Sequence, residues 1–116
     1  MTSTENIPAS SLRLLLMLDE LGVPVYRVGY RQLQMAIIQY SQDDTQSLTK
    51  QIYPSIAAYW GGSDVRSVDR AIHLAIVDAW NNRDPETWEH YFPGAQTPPS
   101  NKQFIATLAA LLALER

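Results

Sequence analysis

Arg66, Asp69, Arg70 and His73 stand three and four positions apart along one stretch of the chain. On a helix that spacing gathers them on a single face. Their types fit one kind of chemistry. An arginine fork meets O6 and N7 of guanine together, an aspartate accepts from the cytosine N4 amine, and the histidine carries the row one turn further. Asp69 is equally placed to hold Arg66 or Arg70 in position, and a solvated helix face has the same pattern. Phosphate contacts beside such a row would come from Lys50, with Arg27 and Arg31. The hydroxyls and amides of Ser47, Thr49, Ser63 and Ser67 would add to them, because phosphate oxygens also accept from neutral donors.

Bond-making chemistry has weaker support. Asp69 and His73 are spaced to pair, but such a pair on a helix face more commonly makes a local ion pair than a catalytic dyad. Asp78, His90, Glu86 and Glu89 form no recognisable acid–base set, and no catalytic residue is assigned. Asp43 and Asp44 lack the hinge glycine and closing glutamate of a calcium loop. Gly61-Gly62 lacks the lysine and the strand-to-helix setting of a phosphate loop. With no cysteine and two histidines, zinc-cysteine and iron–sulfur sites are excluded, and no metal or cofactor is expected.

Composition narrows the class further. The 116 residues suit one domain, and an apolar share of 46% suits a folded one. Nine Lys and Arg against 12 Asp and Glu leave a formal net charge of −3, so any nucleic-acid surface must be local and built mainly from arginine. No apolar run approaches the ~20 residues of a spanning helix, and the polar opening is no signal peptide. The expectation is a soluble cytoplasmic domain without a membrane partner.

The elements that would position the row are all helical. Residues 1–9 read as a flexible leader and residues 10–116 as the domain. A first helix over 11–21 is capped by Ser10 or Ser11, with Leu12, Leu15 and Leu16 on its apolar side, Leu21 as a further candidate there, and Gly22 at its end. Residues 23–28 look extended. A second helix follows Gly29-Tyr30 and runs over 30–41, carrying Leu33, Ala36, Ile37 and Tyr40 inward. A third spans 48–60 with Leu48, Ile52, Ile56 and Tyr59 as its stripe. Pro54 requires a kink or a separate short turn near its start. Gly61-Gly62 breaks the chain, and Ser63 or Asp64 caps the clearest helix, 64–81, with Val68, Ile72, Ala75, Ile76 and Ala79 apolar and Trp80 at the edge. Asp84-Pro85 opens a short helix over 85–91. Asn101 or Ser100 caps the last, 101–114, which carries Phe104, Ile105, Leu108, Leu111 and Leu112. Helices 48–60 and 64–81 with the glycine turn between them have the outline of a helix-turn-helix, whose second helix enters the major groove.

Several separated motifs add a resemblance. Leu21-Gly22-Val23-Pro24, Gly29-Tyr30, Leu48-Thr49-Lys50-Gln51-Ile52-Tyr53-Pro54 with Ile56-Ala57, Val68-Asp69-Arg70-Ala71-Ile72 with Ala75-Ile76 and Ala79-Trp80, then Pro99, Asn101 and Phe104-Ile105-Ala106 occur in order. The chain resembles the C-terminal DNA-binding, or effector, domain of the Spo0A sporulation response regulators over nearly its whole folded part. The resemblance implies a compact six-helix domain with its reading helix near 65–81, binding of a short DNA element as head-to-tail tandem monomers, and contact with the housekeeping sigma factor of RNA polymerase. That contact would use the segment carrying Asp84, Glu86, Glu89 and His90, where Trp88 and Tyr91 are equally suited to the core.

The reading helix departs from the family pattern, which runs Ser-Arg-Val-Glu-Arg-Ala-Ile-Arg-His. Arg70 matches a base-reading arginine, Asp69 replaces glutamate, Ser67 and His73 replace arginines, Leu74 replaces histidine, and Arg66 lies one position earlier. Ala58-Tyr59-Trp60 stands where the family carries lysines. The family also has an N-terminal receiver domain and linker. Its lack here is expected of a free-standing relative or an expressed fragment, and a free-standing one would answer to a partner or to abundance rather than to phosphorylation. The leading expectation is a sequence-specific transcription regulator that binds double-stranded DNA. The rival is a protein-interaction module that keeps the fold, binds DNA weakly, and modulates a full-length family member or RNA polymerase.

Overall fold

The computed structural model describes residues 9–61 and 63–114, all in helices and the turns that join them. Six α-helices follow in order: α1 (Ala9–Leu21), α2 (Val28–Gln42), α3 (Tyr53–Trp60), α4 (Val65–Asn81), α5 (Pro85–Tyr91) and α6 (Asn101–Leu114), with a π-helical turn, Leu48–Ile52, leading into α3. The leader up to residue 8 lies outside the described residues. This is the expected all-α, six-helix domain, and α3 and α4 are joined by a four-residue connection as a helix-turn-helix requires.

The core forms where α2, α3 and α6 close on α4. Val68, Ile72, Ala75, Ile76 and Ala79 are fully buried, as their spacing predicts, and Phe104, Ile105 and Leu108 of α6 are buried with them. Leu33, Ala36 and Ile37 of α2 complete the same core. At the far end α5 closes the bundle. The Trp88 indole N–H donates to the Leu21 carbonyl at 3.1 Å. Trp80 meets Trp88 edge-on at 5.5 Å between ring centres, and Phe92 stacks on Phe104 at 5.5 Å.

Several expectations are corrected. In α1 the buried face is Leu14, Met17, Leu18 and Leu21, whereas Leu12 and Leu16 are 51% and 58% exposed and Leu15 is half-buried. The run 14–18 is apolar all round, so two faces satisfied the helical spacing and tertiary packing chose the other one. The helix already begins at Ala9, which places Ser10 and Ser11 within its first turn rather than before it. It ends in a Schellman turn: Val23 N–H reaches the Leu18 carbonyl, Gly22 N–H reaches the Asp19 carbonyl, and Gly22 adopts φ +79°. Residues 24–27 make a turn instead of an extended segment, so α2 starts at Val28, before Gly29-Tyr30. In the third helical segment the buried arc differs from the expected stripe. Ile52, Tyr53, Ile56 and Ala57 are buried, Leu48 is half-buried and Tyr59 is 74% exposed. Pro54 sits in the first turn of α3, directly after the π turn, where proline is best tolerated.

Gly29 sets the distance between α2 and α4. A Cβ placed there would lie 2.2 Å from the Ala71 carbonyl oxygen and 3.0 Å from the Ala75 Cβ. Alanine normally favours a helix over glycine by about 1 kcal/mol. Here the intruding methyl meets backbone, and overpacking of this kind costs about 1–3 kcal/mol. Gly29→Ala is therefore predicted to lower stability by about 1–3 kcal/mol in urea unfolding; an unchanged or raised midpoint would show that α2 and α4 can separate freely.

Candidate nucleic-acid interface

The amphipathicity of α4 decides what it presents. With its apolar face buried, Arg66, Ser67, Asp69, Arg70 and His73 are exposed on the outward side. No hydrogen bond or ion pair ties Arg66, Arg70 or His73 to another side chain among the described residues. The expected row is thus together on one face and open to solvent.

Asp69 borders the row on the α6 side, and its partner is neither arginine nor His73. The Asn101 side-chain amide donates to Asp69 Oδ1 at 3.0 Å, to the Asp69 main-chain carbonyl at 3.0 Å, and to the Tyr53 hydroxyl at 3.2 Å. Three residues from α3, α4 and α6 therefore meet at one amide. Burial, and secondarily the nearby Asp69 charge, push the Tyr53 phenol up to about 12, so it stays protonated throughout the physiological range.

The start of α4 is fixed by Asp64 rather than Ser63. Asp64 Oδ1 accepts the Ser67 N–H at 2.8 Å. Ser63 is half-buried in the turn before it, and Gly62 lies outside the described residues. Gly61, at φ +61°, closes α3 through its N–H to the carbonyls of Ala57 and Ala58. The π turn before α3 is capped in a similar way. Ser47 Oγ accepts the Lys50 N–H at 3.1 Å, and the Ser47 N–H donates to Gln51 Oε1 at 2.7 Å. Lys50 and Thr49 are exposed at that end.

Thr49, Tyr53, Asp69 and His73 line an open groove together with Ser100, Asn101 and Lys102 at the start of α6. None of these last three residues was expected at the site. Ser100 and Asn101 were expected as alternative caps, Asn101 also as part of the family motif, and Ser100 is the cap, its Oγ accepting the Gln103 N–H at 3.0 Å. Two cations expected to help with phosphates stand elsewhere. Arg27 Nε donates to Asp78 Oδ2 at 2.9 Å, which commits its charge within the protein. Arg31 lines a separate groove with Tyr30, Met35, Ile38, Tyr59 and Trp60.

The segment 84–90 divides between structure and surface. Asp84 caps α5, its Oδ2 accepting the Thr87 N–H at 3.1 Å, and the Glu89 carboxylate closes the following turn by accepting the Gly94 N–H at 3.1 Å. Trp88, Tyr91 and Phe92 are core. Tyr91 also donates its hydroxyl to Glu20, and burial with that bond pushes its phenol up to about 12. Glu86 and His90 remain exposed. Among the described residues no group of three or more His, Asp or Glu side chains is placed to hold a metal, and no helix is long and apolar enough to cross a membrane.

The family model described as sporulation initiation factor Spo0A C terminal matches residues 14–112, and the chain belongs to that family. The matched span contains every element that builds the groove and the outer face of α4.

The caps carry a pH prediction. The bond from the Ser67 N–H, then the Ser67 hydroxyl and the Arg66 charge, hold the Asp64 carboxyl below its ordinary 3.8. The Thr87 hydroxyl and N–H do the same for Asp84. A carboxyl lowered by folding stabilises above its unfolded value, and that stability is lost as pH falls through the folded value. Urea midpoints are predicted to hold down to about pH 4 and then decline. Asp64→Asn, which keeps the capping oxygen without the charge, is predicted to decline less steeply. Parallel acid limbs for the two proteins would remove the Asp64 charge from the stability of α4.

Proposed function

We propose that this chain is a sequence-specific DNA-binding transcription regulator of sporulation control, which lays α4 in the major groove. The observation that carries the reading is the exposed, unpaired row Arg66–Arg70–His73 on a helix whose opposite face is locked in the core. Arg70 reads a guanine, Arg66 reads a neighbouring position, His73 extends contact along the groove, and Asp69 accepts from a cytosine amine. Lys50, Thr49 and Ser47 at the π turn, with Ser63 and Ser67 at the start of α4, position the phosphates. With a net charge of −3, affinity rests on these few donors. The protein works in the cytoplasm, at the nucleoid when bound.

Two finer elements belong to the same proposal. Copies of the domain bind in tandem along DNA, and the exposed Glu86 and His90 of α5, beside Asp84 and Glu89, meet the polymerase sigma factor. Because Arg66, Ser67, Asp69 and His73 differ from the family's pattern, the preferred element overlaps the family's without reproducing its selectivity.

A second reading, a protein-interaction module with weakened DNA binding, draws on Tyr59 and Leu74, which are 74% and 40% exposed on the two helices of the motif. Selection of bound duplex from a random library separates the two. Enrichment of one motif supports the regulator, and absence of binding by the folded protein at low salt supports the module. Arg70→Ala is predicted to cost about 1–3 kcal/mol on the selected site and to blur one base position, with much less effect on unrelated duplex. Equal weakening on all duplexes would make Arg70 a phosphate contact.

A further inference from the structure

Asp69 differs from its neighbours on the outer face of α4. Arg66, Arg70 and His73 are free side chains, while Asp69 is held from outside its own helix. An aspartate on a helix surface has partners at hand three and four residues away, here Arg66 and His73. Its carboxylate goes instead to Asn101, across the seam between α4 and α6.

The Asn101 amide is oriented by its surroundings. Three oxygens surround its nitrogen: Asp69 Oδ1, the Asp69 carbonyl and the Tyr53 hydroxyl. Turning the amide over would set its own oxygen against the two Asp69 oxygens, which only accept, and that disfavours the other orientation. The orientation has a cost, because Asn101 Oδ1 is then buried with no hydrogen-bond partner. By gripping both the side chain and the main chain of Asp69, Asn101 fixes the carboxylate relative to the helix that carries it. Tyr53, fully packed in α3, closes the third side. Asp69 as a residue remains exposed, so its carboxylate is held without being sealed from solvent.

We infer that Asn101 is a positioning residue for base recognition, an α6 side chain that holds the Asp69 acceptor at the edge of the reading face. The inference rests on the DNA-reading role of α4 and extends it to a residue that need not touch DNA. A short carboxylate with a free χ1 would exchange between Arg66, His73 and solvent. A tethered one offers a single acceptor position, and that is what discrimination between bases requires.

The test is a comparison of base-preference profiles, from random-duplex selection, for wild type, Asn101→Ala, Asn101→Asp, Asp69→Ala and the Asp69→Ala/Asn101→Ala double variant, with thermal unfolding of each. Asn101→Asp keeps the shape of the side chain but sets a carboxylate against Asp69, so it separates hydrogen bonding from volume. The expected result is a loss of about five- to tenfold in preference at one base position in both Asn101 variants, the same position that Asp69→Ala affects, with the other positions retained. In the Asp69→Ala background, Asn101→Ala should change the profile no further. An unchanged profile in Asn101→Ala and Asn101→Asp, beside a selective wild type, overturns the inference and leaves the DNA-binding reading standing. A uniform loss that persists in the Asp69→Ala background also overturns it, because Asn101 would then act through the fold alone. Failure of the wild type to select any duplex overturns the DNA-binding reading and this inference together.

Discussion

The backbone of α4 occupies the space where a side chain on residue 29 would be. That contact, Gly29 against Ala71 and Ala75, is the constraint on which the orientation of α4 depends. Helices normally pack with 8–10 Å between axes because side chains hold them apart, and a glycine lets one side come closer. With α2 fixed at that distance, Val68, Ile72 and Ile76 have one place to go, between α2, α3 and α6. The outward direction of Arg66, Arg70 and His73 then follows from the helical period alone. The arginines need no dedicated scaffold, since burial of the opposite face aims them.

Around this seat the polar contacts lock register rather than add bulk stability. Asp64 fixes where α4 begins, and Ser47 with Gln51 fixes where the π turn begins. Asn101 joins α3, α4 and α6 at a single amide. These bonds lie at the ends of helices that converge on one groove, so small errors in helix start or rotation are corrected where the candidate site is. The same logic explains α5. Its caps and aromatic side chains close the bundle, and the residues left for a partner are few, chiefly Glu86 and His90.

Much of this was legible in the residues. The period of α4 is strong because its two faces differ sharply in polarity, so its span, its cap region and its buried set all followed. Asp84-Pro85 announced α5 in the same way. Failures came where pattern was degenerate. Leu12 and Leu16 share a helical spacing with Leu14 and Leu18, and only packing against α6 and α2 distinguishes them. In α3 the buried arc runs through Ile52, Tyr53, Ile56 and Ala57, which leaves Tyr59 at its edge and in solvent. Contacts between residues far apart in sequence were not legible at all. Nothing in Asn101 or Arg27 alone points to Asp69 or Asp78, because those pairings are created by the way the helices assemble.

The acidic balance of the chain leaves few places where DNA could bind. Cations that stand free are concentrated on the outer face of α4 and beside the π turn, while Arg27 is spent on Asp78. The most direct measurement is an NMR titration of isotope-labelled protein with a selected duplex at low salt. Amide shifts are expected to concentrate at residues 47–50 and 63–73, with smaller changes at 100–102 and little at α5. Shifts confined to α5, or to the groove of Tyr30, Met35 and Tyr59, would contradict it.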